Sequence, residues 1–408
     1  MRSAISGTIG VRFAKVFLGV LAAVISARAL GPAGRGEYFL VISIAALVVQ
    51  FGNFGLHASN TYYVARDPSK LPGLAANSLW VAVMLGVICG VAAAPVARLI
   101  GLSSGSELWQ AVVIVVLVPS GLYVLLGMNL LIGIGRVRLF NAVDIASNLL
   151  ALALIVIAAI LFPTVVAFLA AASVSAVATA LLVYQSVRTH AGPSMSFDPR
   201  LFRAGLRFAG KAYASSVLAL VVLRINVFTL SHFVGPTEVG NYSVALQFMD
   251  VLGIVPSATA LVLFPTLVRN RSDAWMSTLR NAAVVGVVLA VLSSATALIG
   301  PRLITTVFGA GFEGAADILL VLLPGVILVG MATVFSQFLI AVGFPILLVF
   351  AWAGAAAAVG TLGIATIPTG AGRAAGSALS LTYAGLFVFI LGLAFAHRHD
   401  RAGSPADS

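Results

Sequence analysis

Apolar residues fill this chain in windows of about 20, the length needed to cross a ~30 Å hydrocarbon core. Twelve such windows can be marked, at 9–30, 37–57, 75–100, 109–132, 140–162, 164–186, 206–232, 239–267, 278–300, 315–341, 346–367 and 374–396. Each predicts a membrane-spanning helix. Polar positions gather between the windows, and several junctions carry turn chemistry: Gly31-Pro32, Gly343-Phe344-Pro345 and Pro368-Thr369-Gly370.

The order of these junctions repeats. Gly31-Pro32 followed by Gly36 and Tyr38 returns as Gly235-Pro236, Gly240 and Tyr242, at an offset of 204 in a chain of 408. Upstream, Val11-Arg12-Phe13-Ala14-Lys15 is echoed by Leu206-Arg207-Phe208-Ala209-Gly210-Lys211. Downstream, Leu117-Val118-Pro119 resembles Leu322-Leu323-Pro324, and Leu131-Ile132 before Gly135 resembles Leu339-Ile340 before Gly343. Six helices is an even number, so the second half re-enters the membrane in the orientation of the first. Such parallel repeats place their substrate between the halves. The predicted fold is an all-α integral membrane protein of about twelve transmembrane helices, in two parallel-related six-helix lobes. The lobes cover 1–186 and 205–397. Between them lies a linker over 187–204, punctuated by Gly192-Pro193 and Asp198-Pro199 and read as a short interfacial elbow; a disordered tail over 398–408 follows.

Composition agrees and removes most alternatives. Hydrophobic residues make up 61% of the chain and charged ones 9%, against roughly 25% charged in a soluble protein. Mean hydropathy is +1.12. Twenty-three basic against twelve acidic residues leave a net charge of +11. On a soluble chain that would suggest nucleic acid; here the basic residues sort by side, so no nucleic acid is expected. With the amino terminus inside, seventeen fall on cytoplasmic segments and five (Arg28, Arg35, Arg98, Arg302, Arg373) on the outer side, leaving Arg224 within the membrane. This split predicts both termini in the cytoplasm. Only three of the basic residues are lysines; Arg dominance fits phosphate recognition and equally a high-GC genome. Arg2, the apolar stretch Val16 to Ile25 and Ser26-Ala27-Arg28-Ala29 imitate a cleaved signal peptide, but the repeat argues for a retained first helix. Cys89 is the only cysteine, so no internal disulfide can form. No metal site or cofactor is indicated.

The opening hairpin, Ala27-Arg28-Ala29-Leu30-Gly31-Pro32-Ala33-Gly34-Arg35-Gly36-Glu37-Tyr38, resembles that of bacterial polysaccharide export flippases. These O-antigen-type, Wzx-like proteins belong to the multidrug/oligosaccharidyl-lipid/polysaccharide superfamily. The stretch from Phe308-Gly309-Ala310-Gly311-Phe312 to Pro324-Gly325 and the turn at Gly343 resemble the same family. The resemblance touches both halves. It implies a central cavity, alternating access, and a substrate of sugars on a polyprenyl diphosphate. The protein would then sit in the bacterial cytoplasmic membrane, with membrane lipids and other polysaccharide assembly proteins as partners.

A diphosphate headgroup calls for inward-facing cations, because an unaided charge at the bilayer centre costs from about 2.5 kcal/mol upward. Arg12 and Lys15 lie three apart on the first helix, and Arg207 and Lys211 four apart at the matching place on the seventh. They form either a basic mouth or ordinary snorkelling flanks. Arg224 follows Lys211 by 13 residues, roughly 20 Å deeper at about 1.5 Å per residue. Asp250, with Gln247 one turn away, reaches a similar depth on the next helix. Arg224 and Asp250 serve as a structural ion pair, or as headgroup ligand and proton-responsive carboxylate. The repeat equivalent of Asp250 is Ala46. This asymmetry keeps a proton- or sodium-coupled drug antiporter of the same superfamily as the second reading. Asn141, Asp144 and Asn148 make one polar stripe, and Gln50 and Asn53 another; such residues contact sugar hydroxyls or bond neighbouring helices. Tyr62, Tyr63 and Trp80 read as interfacial belt residues. A membrane polymerase or ligase is disfavoured: no extramembrane loop is large enough, and no paired carboxylate, nucleophile constellation or nucleotide-binding loop is visible.

Overall fold

The computed structural model describes residues 2–99, 107–192, 195–208, 210–269 and 273–398; the side chains of Arg12, Cys89 and Lys211 and the tail beyond Arg398 lie outside that description. Among the described residues, the regular structure is entirely helical. Backbone groups in hydrocarbon must be bonded within their own segment, which a helix alone achieves without closing a barrel. Among the described residues, ten continuous helical stretches are long and apolar enough to cross a membrane. Two of these, Phe13–Gly52 and Ile346–Ala396, lie in helices that are each a pair joined at one non-helical residue, Gly31 and Ala371. Counted so, the crossings among the described residues number twelve, as the apolar windows predict.

The chain divides into two units, Met1–Tyr213 and Ala214–Ser408. The first holds α1 (Arg2–Gly52), α2 (Leu56–Arg66), a 3-10 turn (Pro68–Lys70), α3 (Leu71–Leu99), α4 (Glu107–Gly133), α5 (Val137–Leu161), α6 (Val165–Ala191) and α7 (Pro199–Phe208). Gly31 turns α1 at φ 65°, ψ 179°, a backbone conformation open in practice to glycine alone. Pro32 then starts the second limb, where its fixed φ suits a first helical turn. That limb breaks again at Phe54 (φ 46°) and Gly55 (φ 76°) before α2. Asn53, fully buried, bridges the break: its Oδ1 accepts from the His57 backbone N–H at 3.3 Å and meets His57 Nδ1 at 2.7 Å.

Side chains sort as lipid solvation requires. Ile160 and Leu298 are 74% and 81% exposed, while Asn53, Ser59 and Asn226 are wholly buried. The buried polar groups join helices: Asn60 Nδ2 donates to Ser78 Oγ at 2.8 Å, tying α2 to α3, and Thr61 Oγ1 donates to the Asn129 carbonyl of α4 at 3.0 Å. Interhelical hydrogen bonds of this kind contribute about 0.6 kcal/mol each on average.

The described residues place a short helix, α7 (Pro199–Phe208), ahead of α8. Asp198 starts it: its Oδ1 accepts from the N–H groups of Arg200 (2.9 Å) and Leu201 (3.1 Å), capping α7 just ahead of Pro199. The Asp198 backbone exchanges two 2.8 Å hydrogen bonds with the Asn77 side chain of α3. Further along, Phe208 stacks on Tyr62 with ring centroids 4.4 Å apart, and Tyr63 Oη donates to the Ala204 carbonyl at 3.4 Å. The elbow is thus a helix docked on the first lobe, and Tyr62 and Tyr63 hold it there.

The second unit takes α8 (Gly210–Phe233) from Ala214 onward, then α9 (Pro236–Leu252), α10 (Ile254–Arg269), α11 (Ala274–Val307), a 3-10 turn (Ala310–Phe312), α12 (Glu313–Ala341) and α13 (Ile346–Ala396). Gly325 of α12 has no room for a side chain: a Cβ there would meet the Ser380 Cα of α13 at 2.8 Å. Ser380 Oγ also donates to the Val321 carbonyl at 2.6 Å, so α12 and α13 pack backbone to backbone. Ala371, which kinks α13 at φ 47° and ψ −138°, is strained for a residue with a Cβ. The next N–H, that of Gly372, donates to Glu238 Oε2 of α9 at 3.0 Å.

Candidate functional site

The candidate residues fall into two groups, one inside each lobe. In the first lobe Lys15 of α1 and Asp144 of α5 form a salt bridge, with Nζ 2.9 Å from Oδ1 and 3.3 Å from Oδ2. Asn148, one turn on along α5, donates to the Asp144 carbonyl at 2.7 Å and to Oδ1 at 3.4 Å. Two candidates assigned to different tasks, a headgroup cation and a sugar acceptor, therefore satisfy each other. Lys15 remains half exposed, so its ammonium keeps donors for an incoming phosphate. Asn141 lies partly buried a turn earlier on α5. On the other polar stripe, Gln50 is half-buried and offers its backbone carbonyl to Asn53 Nδ2 at 3.5 Å. The Asn53 side chain is consumed at the α1–α2 break.

Arg207 is exposed on the last turn of α7, and the side chain of Lys211 lies outside the described residues.

The second group centres on Arg224 of α8. It interacts electrostatically with Asp250 and Tyr242 of α9 and with Tyr383 of α13. Tyr242 is fully buried and Tyr383 nearly so, while Asp250 is exposed at the end of α9, one helical turn past half-buried Gln247. Among these partners Asp250 is the carboxylate that interacts with Arg224. On the same helix as Arg224, Asn226 interacts with the Tyr242 hydroxyl and donates from Nδ2 to the Ala375 carbonyl at 2.8 Å. Three helices thus converge on one guanidinium, and the single carboxylate nearby stays open to exchange. Such a group can take an anionic ligand on the cation while a proton or metal ion visits the acid.

Arg35, counted by sequence among the outer flanks, is buried in the first lobe. Its Nη1 donates to Ser26 Oγ at 2.7 Å, and the guanidinium carbon stands 5.6 Å from the Tyr38 ring and 5.8 Å from that of Phe39. The interaction with aromatic faces partly replaces water. The repeat held a hint: Tyr38 and Tyr242 occupy matching positions, the first beside buried Arg35 and the second beside half-buried Arg224. Glu238 and Tyr383 carried no such mark, because each acts across helices far apart in sequence.

Comparison with known proteins decides the family. The sequence profile of the polysaccharide biosynthesis protein family matches residues 3–271. The chain belongs to that family. Among curated proteins none matches it by sequence. Solved structures do match, and each shares the fold at low identity. A lipid II flippase, MurJ, in an inward closed conformation aligns with a TM-score of 0.79 at 12% identity, covering 94% of this chain and 86% of its own. An inward-facing multidrug resistance MATE family transporter aligns at 0.74 and 18%, covering 96% of both chains. A multidrug/oligosaccharidyl-lipid/polysaccharide superfamily transporter from Pyrococcus furiosus, described as having reversed binding-pocket polarity, aligns at 0.69 and 17%, covering 99% and 96%. This polysaccharide biosynthesis family member is therefore a multi-pass membrane protein with the transporter and flippase fold.

Proposed function

We propose that the protein flips polyprenyl-diphosphate-linked oligosaccharide repeat units from the inner to the outer leaflet of the bacterial cytoplasmic membrane, by alternating access. The observation that carries the reading is the arginine-centred cluster of Arg224, Asp250, Tyr242 and Tyr383 in the membrane part of a polysaccharide biosynthesis family member. A guanidinium in that setting suits a diphosphate, whose oxygens it can hold in pairs. Arg12, Lys15, Arg207 and Lys211 receive the headgroup at the cytoplasmic entrance. Lys15 exchanges Asp144 for phosphate as the substrate arrives. Asn141, Asn148, Gln50 and Gln247 meet sugar hydroxyls in passing.

The second reading, a proton- or sodium-coupled antiporter of small molecules, is favoured by one observation, the exposed Asp250 carboxylate. Deleting the gene in its native host and extracting the polyprenyl-linked glycans separates the two. Complete repeat units accumulating on the carrier, with surface polysaccharide lost, are expected for the flippase. Normal glycans with new sensitivity to cationic drugs would overturn it in favour of the antiporter.

A further inference from the structure

A second site lies within the first lobe. Between α3 and the elbow is a crevice of about 440 Å³, lined by Trp80, Val81, Met84, Leu85, Phe197 and Phe202. Every side chain in that wall is apolar, and Trp80 and Phe197 stand 52% and 43% exposed. The crevice is held open by bonds already described. The Asn77 amide clamp fixes Asp198, and Asp198 caps α7, so Phe197 and Phe202 are placed on either side of a rigid joint.

Helix α7 adds charge to this wall. At about 100° per residue, Leu201, Gly205 and Phe208 share the face packed on α2 and α3. Phe202 and Leu206 form the next shoulder. Arg200, Arg203 and Arg207 make a stripe beyond it, and all three are exposed. Among the described residues, none of these three guanidinium groups has a carboxylate partner. A strongly amphipathic helix with an arginine face and an aromatic shoulder lies in the headgroup plane of a bilayer. Its guanidinium groups then meet phosphates, and the crevice beside them meets acyl chains.

We propose that this crevice and stripe form a binding site for one anionic phospholipid of the bilayer, with an acyl chain along Trp80 and Phe202 and the headgroup phosphate on Arg200 and Arg203. The occupant is a bulk lipid and not the transported one, because all six lining residues belong to one lobe and none of them is a candidate for the headgroup or sugar contacts. By resting on the elbow, the bound lipid steadies the element that joins the two halves. The site stands whether or not the flippase reading does.

Native mass spectrometry tests it on the full chain in detergent, titrated with phosphatidylglycerol or with phosphatidylcholine. One phosphatidylglycerol should be retained that phosphatidylcholine does not replace. The double substitution Arg200→Gln/Arg203→Gln should weaken that retention roughly 25-fold, about fivefold per arginine. Arg136→Gln/Arg138→Gln, which removes two exposed arginines elsewhere on the lobe, should leave it unchanged. Trp80→Ala should loosen the lipid severalfold by emptying the crevice. Equal retention in the Arg200/Arg203 variant, equal loss in the Arg136/Arg138 control, or no effect of Trp80→Ala would each overturn the site. Displacement of the lipid by a short-chain polyprenyl phosphate would overturn the choice of occupant.

Discussion

The two lobes break their helices at matching places but carry different chemistry there. Gly31-Pro32 opens the second helix of one lobe and Gly235-Pro236 that of the other, with φ of 65° and 118° and ψ of 179° in both. Each second helix breaks again midway, at 53–55 and at Gly253. Pro119 and Pro324 sit inside the fourth helix of each lobe, and Gly135 and Gly343 close it with positive φ. A further match appears once the structure is known: Phe162-Pro163-Thr164 between α5 and α6 corresponds to Ile367-Pro368-Thr369 in α13. The charges do not repeat. The first lobe holds a cation–acid contact near its entrance and a buried Arg35 against Ser26. The second holds Arg224 interacting with Asp250, Tyr242 and Tyr383. Duplication has preserved the mechanical skeleton, where backbone conformation leaves few residues to choose from, and let the ionisable groups diverge. Coupling and headgroup recognition are therefore expected to depend on the second lobe far more than on the first.

The largest test of that asymmetry is Arg224→Ala. We expect transport to fall to background while membrane levels stay normal, read as surface polysaccharide in a complemented deletion strain. Arg224→Lys should recover only part, since an ammonium lacks the paired donors of a guanidinium. Asp250→Asn should leave the protein inserted yet remove the dependence of transport on the proton or sodium gradient. Normal export by a fully expressed Arg224→Ala protein would take Arg224 out of the site and with it the leading role of the second lobe.

The next test compares how each lobe joins its last two helices. The first lobe uses a loop: Thr164 Oγ1 accepts from the Ala167 N–H at 3.3 Å and starts α6 in the usual way. The second turns at the single non-helical residue Ala371 and relies on Glu238 to accept the Gly372 N–H. Glu238→Ala leaves that N–H without its acceptor, a loss of roughly 1–3 kcal/mol. Thr164→Ala removes one cap, about 1 kcal/mol. Thermal unfolding in detergent should place Glu238→Ala well below Thr164→Ala. The reverse order would mean the Ala371 kink is held by packing alone.

Why one half of this architecture is legible in sequence and the other half is not follows from range. A membrane helix must carry about 20 apolar residues in a row, so all twelve crossings show as local composition. Gly31 and Gly235 are legible because a positive φ next to proline selects glycine. Ala371 kinks its helix without glycine at the kinked position, so Pro368-Thr369-Gly370 marks a junction but not its exact residue. The docking of α7 on α3 hides for another reason: it rests on the bond between Asp198 and Asn77, 121 residues apart. The Lys15–Asp144 bridge spans 129. Spacing along one helix shows which residues share a face. It cannot show which face of another helix meets them, so the pairing of two candidates escaped notice while both were named.

That bridge supplies a smaller prediction. Lys15 is half exposed, and pairs of this kind are worth up to about 1 kcal/mol. Lys15→Ala or Asp144→Ala should slow transport severalfold, much less than Arg224→Ala. The exchange Lys15→Asp/Asp144→Lys should restore most of the stability. Transport should stay low if Lys15 also meets phosphate, because the cation then sits on the wrong helix. Full recovery of transport by the exchange would reduce the pair to a structural contact.

The smallest effect separates the junctions between the second and third helices of each lobe. Asp67 accepts from Ser69 Oγ at 2.6 Å and from the Ser69 N–H at 3.1 Å, with Lys70 Nζ 3.5 Å away. Hydrogen bonds from Ser69, helped by Lys70, hold its carboxyl below the usual carboxylate range. A carboxyl depressed in the folded state stabilises fully above its unfolded pKa, and the contribution fades as pH falls through the folded value. Asp273, at the corresponding start of α11, makes no side-chain cap bond among the described residues. Asp67→Ala should lower the unfolding temperature slightly at neutral pH, and the difference from wild type should close as the solution is acidified below the carboxylate range. Asp273→Ala should leave the curve where it was at neutral pH. A deficit in Asp67→Ala that persists unchanged into acid would show that the 3-10 turn is held by its backbone and not by the charge of Asp67.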